Sequence, residues 1–66
     1  MQTVVSSNVA AVGYDKPSGV LRVQFKRGGT YEYFGVREAL FEEMLLPHPW
    51  RRVGRQVKAH PNRKIA

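Results

Sequence analysis

The chain has 66 residues, 42% of them hydrophobic and 24% charged, with a formal net charge of +6 and no cysteine. This length holds one domain, which buries only about 60% of the surface that its unfolded chain exposes and so has a thin stability margin. The lack of cysteine excludes a disulfide framework and a thiolate metal site. No apolar run approaches the roughly 20 residues of a membrane span, and no basic-then-apolar leader opens the chain, so a reducing cytoplasm is the expected compartment.

The positive excess is one-sided. Residues 1–45 carry equal numbers of acids and bases, whereas residues 46–66 carry Arg51, Arg52, Arg55, Lys58, Arg63 and Lys64 and no acid. Charge placed this way is the electrostatic footprint of a polyanion partner. A solvated basic face kept for solubility is the plainer alternative.

In chain order, residues 1–5 read as a loose end, followed by the polar lead-in Ser6-Ser7-Asn8. Residues 9–14 predict a first strand. Val9, Ala11 and Gly13 would lie on one side and Ala10, Val12 and Tyr14 on the other, and apolar residues on both sides leave the register open. Asp15-Lys16-Pro17-Ser18-Gly19 predicts a turn, with Pro17 suited to the second position of a type I turn begun at Lys16 and Gly19 to the fourth.

A hairpin follows. Leu21, Val23 and Phe25 alternate with Arg22, Gln24 and Lys26, and Tyr31 and Tyr33 resume the alternation after Gly28-Gly29. A two-residue Gly28-Gly29 loop would place the tyrosines on the face of the basic residues. A three-residue Arg27-Gly28-Gly29 loop would pair Lys26 with Thr30 and Phe25 with Tyr31. Leu21, Val23, Phe25, Tyr31 and Tyr33 would then share one face, opposite Arg22, Gln24, Lys26, Thr30 and Glu32. This register is expected, with Gly29 in a left-handed bulge position.

Beyond Gly35, Val36, Leu40, Phe41, Met44 and Leu45 recur at helical spacing and predict a helix over residues 36–45, ended by Pro47 and Pro49. Trp50, Val53 and Val57 form the apolar stripe of a second short helix over residues 50–59, with Arg51, Arg55 and Lys58 on another stripe and Arg52 beside it. Gly54 weakens that helix by about 1 kcal/mol relative to alanine. Pro61 stops it, and residues 62–66 read as a loose basic end. The expected architecture is α+β: a three-stranded antiparallel meander followed by two short helices packed on one face (β-β-β-α-α), in a single domain over residues 1–66. The expected core is Leu21, Val23, Phe25, Tyr31, Tyr33, Leu40, Phe41, Met44, Trp50, Val53 and Val57.

The succession Ser6-Ser7-Asn8-Val9, Val12-Gly13-Tyr14-Asp15, Leu21-x-Val23-x-Phe25 and Tyr31-x-Tyr33-x-Gly35-Val36 resembles the KTSC domain. That family is a short module at the C-terminus of some lysyl-tRNA synthetases, also found as a free-standing protein of bacteria and phages, and marked by a central Tyr-x-Tyr pair. The resemblance runs from residue 6 to about residue 58. His48-Pro49-Trp50 stands where a Ser-x-Gly turn is usual, and Val53-Gly54 where an aromatic-Asn pair is usual. The resemblance implies the fold, and its synthetase context implies RNA as a partner.

The candidate nucleic-acid contacts are Arg51, Arg52, Arg55 and Lys58 on the second helix, Arg63 and Lys64 in the basic tail, and Arg22, Lys26 and Arg27 as a second patch on the open sheet face. Arginine's planar fork suits phosphate oxygens. Tyr31 and Tyr33 have two uses, as stacking platforms for unpaired bases or as core residues, and the register favours the core. Trp50 could stack on a base or anchor the second helix, and its place in the apolar stripe favours anchoring. His48 and His60 lack metal-like spacing, so no metal or other cofactor is expected. No nucleophile has a base and orienter beside it, and no phosphate-cradling glycine loop precedes a lysine, so no enzyme is expected. The main expectation is a nucleic-acid-binding module with RNA favoured over DNA. The alternative is a protein-interaction module or a small phage or mobile-element factor acting on a host protein, using the apolar run at the end of the first helix. No membrane partner is expected.

Overall fold

The computed structural model describes residues 1–66. Five antiparallel strands form one sheet in chain order: β1 (Gln2–Thr3), β2 (Val9–Asp15), β3 (Val20–Phe25), β4 (Gly29–Tyr33) and β5 (Asn62–Lys64). Between β4 and β5 lie two helices, α1 (Glu38–Met44) and α2 (Pro49–Lys58). The expected meander is the centre of this sheet. The sheet has five strands rather than three because the stretches expected to be loose ends each add an edge strand. Both edge strands are exposed and polar, so they carry no hydrophobic alternation and are held by the backbone ladder. The C-terminal pairing continues past Lys64. Thr30 N–H donates to Ala66 O at 3.0 Å, and Ile65 N–H donates to Thr30 O at 2.8 Å.

The face assignment of the β3–β4 hairpin matches the expected one, but the pairing does not. Val23 pairs with Tyr31, Gln24 with Thr30 and Phe25 with Gly29, two residues from the expected register. A two-residue shift leaves every side chain on its own face, so the alternation is blind to it. The connecting loop is therefore residues 26–28, and Gly29 opens β4 at φ +81°. A Cβ there would also collide with the Ala66 carbonyl oxygen and meet the Lys64 stem. Only glycine fits both demands.

In β2 the two-sided apolarity has a cause. The register against β3 shifts between Val9 and Ala11, which makes Ala10 the extra residue of a bulge. Val9 and Val12 then both face the helices, fully buried, while Ala11 lies buried on the outer face.

The core comprises Val9, Val12, Leu21, Val23, Tyr33, Val36, Leu40, Met44, Val53 and Val57. Phe25, Tyr31, Phe41 and Trp50, expected within it, are half-buried at its edge. α1 starts later than the spacing suggests because Arg37 is still extended, at φ −76° and ψ 149°. The Tyr14 ring stacks on Phe41 with centroids 5.0 Å apart, and its hydroxyl donates to Val36 O at 2.6 Å, fixing this helix to β2. α2 begins with Pro49 in its first turn, where the missing N–H is no loss. His48 before it is left-handed at φ 55°, and its N–H donates to Val5 O at 2.6 Å.

Candidate nucleic-acid interface

Four of the eleven basic side chains are in ion pairs: Lys16 with Glu38, Arg52 with Glu43, and Arg22 and Arg63 with Glu32. Arg52 is the most fully committed. Its guanidinium donates to the Glu43 carboxylate at 2.8 Å, to Glu43 O at 2.6 Å and to Pro47 O at 3.0 Å. It thereby caps the carbonyls at the end of α1 and latches α2 to it. On the outer sheet face, Arg22 and Glu32 are cross-strand partners and bond at 2.8 Å, while Arg63, opposite Glu32 on β5, bonds it at 3.2 Å. The hydrogen bond from Arg22 holds the Glu32 carboxyl below its ordinary 4.5; burial opposes this and Arg63 adds to it. On the outer face Glu32 thus engages both arginines and offsets one of their two charges.

The seven cations outside ion pairs are Lys26, Arg27, Arg37, Arg51, Arg55, Lys58 and Lys64. All but Arg37 lie in depressions bordered by Trp50 or beside Tyr31. Lys26 and Arg27 were expected on the open sheet face beside Arg22. They border instead a depression with Phe25 and Trp50 at the hairpin end. Arg51, Arg55 and Lys58 border a second depression along α2, also bounded by Trp50. Lys64 pairs with Tyr31 across the β4–β5 ladder, so both project to the same side.

A third depression, a groove of ≈ 400 Å³, is lined by Phe25, Tyr31, Tyr33 and Trp50, with Lys58, its one lining cation, and Asn62 at its rim. Phe25 sits edge-on to both Trp50, at 4.9 Å and 80°, and Tyr31, at 5.7 Å and 83°. The Tyr31 and Tyr33 rings are 6.3 Å apart and 26° from parallel. Alternation on β3 and β4 places three of these rings on one face, and the first turn of α2 brings Trp50 over them. Gly54 makes the Trp50 position possible, since a Cβ at residue 54 would come within 2.9 Å of the indole. Burial pushes the Tyr33 phenol above its ordinary 10.0, with Tyr31 adding to the effect, so it is a neutral hydroxyl at physiological pH.

The expected core placement holds fully for Tyr33 and in part for the other rings. Tyr33 is buried at 4% exposure, whereas Phe25, Tyr31 and Trp50 both support the core and reach the surface. Asn62 went unnoticed in the sequence because its place at the rim follows from β5 pairing with β4, and β5 has no sequence signal. No group of metal-ligating side chains comes together, and no helix is long and apolar enough to cross a membrane.

The family model for the KTSC domain matches residues 5–46. A protein of Tsukamurella paurometabola is 40% identical over 45 residues, which span 68% of this chain and 67% of that protein. The crystal structure of a KTSC domain protein from Yersinia pestis matches with a TM-score of 0.89 at 33% identity, over 98% of this chain and 94% of that one. The family match ends just before the His48-Pro49-Trp50 turn, where this sequence departs from the expected pattern, while the structural match continues through the C-terminal third. By matched span and by shared fold, this chain belongs to the KTSC domain family.

Proposed function

We propose that this KTSC domain is a nucleic-acid-binding module, with RNA favoured over DNA, that works through the basic face of α2 and the cations across the groove from it. One observation carries the proposal: five of the seven cations without an ion pair line three depressions that share Trp50, and a sixth, Lys64, lies beside Tyr31 across the β4–β5 ladder. Cations scattered for solubility would have no reason to gather there. Arg51, Arg55 and Lys58 are exposed along α2, with no acid on that helix to hold them. The preference for RNA draws on the likeness to a synthetase-appended module and on the exposed aromatic surface, which suits unpaired bases. Arg22, Arg52 and Arg63 contribute to folding in this scheme, through the partners described above.

The protein-partner alternative has less support. Of the apolar run that closes α1, Met44 is fully buried, Leu45 is half-buried, and only Leu46 stands at the surface at 50% exposure. The test is a salt titration of binding to a labelled RNA oligonucleotide. Binding should be measurable at about 50 mM salt and fall steeply by about 200 mM as counterions are released. Undetectable binding at the lower salt would end the proposal. A pull-down that survives nuclease and high salt would favour a protein partner.

A further inference from the structure

The groove differs from the other depressions of the molecule in what it offers a ligand. The depression on the outer face, near Met1 and Tyr14, contains Arg22 already bonded to Glu32 and includes Asp15, so it has no net attraction for anions. The α2 depression is a shallow field of cations along one helix face, able to meet phosphates but without a ring aimed at a base, apart from Trp50 at its edge. The groove brings four rings together with one lining cation, Lys58; the depression at the hairpin end joins two of the same rings, Phe25 and Trp50, to Lys26 and Arg27, and Lys64 is paired with Tyr31 across the β4–β5 ladder. Phe25 packs edge-on with both Trp50 and Tyr31, and all three rings remain half-exposed along the groove. Gly28 at the mouth has no side chain to close it.

We propose that this groove seats an unpaired nucleobase of a single-stranded nucleic acid, stacked against Tyr31 and Trp50, with the strand's phosphates crossing from the Lys58–Arg55 side to the Lys26, Arg27 and Lys64 side. The inference rests on the nucleic-acid reading above and adds that the ligand is a single strand, bound through a base as well as through charge. A duplex keeps its bases stacked on each other and cannot offer a π-face to the rings, so it meets only the cations. Asn62 at the rim donates one amide N–H to His60 O at 3.0 Å, which holds the carboxamide at the groove edge where a base edge would pass.

Trp50 is the only tryptophan, so its emission reports directly on the groove. The experiment titrates the intact protein with three probes of equal length, about eight nucleotides: single-stranded oligouridylate, the same backbone carrying abasic sites, and an RNA duplex. The expected result is Trp50 quenching by the oligouridylate alone, with the abasic strand binding about tenfold more weakly. Tyr31→Leu should weaken oligouridylate binding by about tenfold with the salt slope unchanged, and Tyr31→Phe should retain it. The wild-type comparison needs no variant to fold. Equal affinity for all three probes without quenching would overturn base seating while leaving charge-driven binding intact. Absence of binding to any probe would overturn both.

Discussion

Glu32 lies buried on the outer sheet face between two arginines from different strands, and its effect on stability is a matter of sign. Its folded-state value lies below the ordinary 4.5, so in mild acid the folded protein binds fewer protons than the unfolded chain. The stability it contributes is present above the ordinary value and is lost as pH falls through the folded one. The wild-type melting temperature should therefore fall between roughly pH 5 and pH 3. Glu32→Gln should melt lower at neutral pH and lose less on acidification, as thermal melts across pH would show; an identical acid decline in the variant would place the sensitivity in other carboxylates. At Gly54 two effects oppose each other. Alanine would gain about 1 kcal/mol of helix propensity, but its Cβ would displace the Trp50 indole. Gly54→Ala should shift Trp50 emission to the red and fail to raise the melting temperature. A more stable variant with unaltered emission would show that the indole moves aside without cost. From sequence alone Gly54 was legible only as a weak point in a helix, because its reason is a ring one turn earlier.

Among the elements, legibility followed the size of the hydrophobic signal. The β3 alternation, the β4 tyrosines and the two helices were readable because each buries one face, and burial writes a period into the sequence. β2 was half-readable: the bulge at Ala10 puts Val9 and Val12 on the same face although they are three residues apart. β1 and β5 were not readable, since polar residues cover both their faces and the backbone ladder, with the Arg63–Glu32 bridge on β5, holds them in place of apolar burial. The same blindness hid part of the candidate site. The α2 cations could be listed in advance, but Lys64 beside Tyr31 and Asn62 at the groove rim require the β4–β5 pairing. Likewise, the latch formed by Arg52 requires the two helices to be set against each other before Glu43 and Pro47 come into reach. Deleting residues 62–66 tests the weight of β5. It removes the pairing with Tyr31 and Tyr33, the Thr30–Ala66 bond and the Arg63–Glu32 bridge. The melting temperature should drop by on the order of 10 °C, given about 4–8 °C per kcal/mol in a domain of this size. An unchanged melt would mean that β5 adds nothing to the fold.

At the scale of the whole molecule the decisive feature is the sorting of charge. Every ion pair ties up a cation whose partner acid lies within the fold, and the remainder line the depressions that share Trp50 or lie beside Tyr31, leaving Arg37 apart at the start of α1. A net charge of +6 by itself would attract any polyanion to any face. A positional effect differs from this general one, and a pair of substitutions with the same change in charge separates the two. Arg55→Gln and Arg37→Gln each remove one exposed cation that has no ion pair. The measurement is the salt dependence of single-stranded RNA binding for both variants beside the wild type, followed by fluorescence anisotropy. Arg55→Gln should weaken binding and reduce the slope of log affinity against log salt by about 0.7, the value of one phosphate contact on a single strand, while Arg37→Gln should match the wild type. Equal losses in the two variants, or no binding by any of the three proteins, would contradict the account.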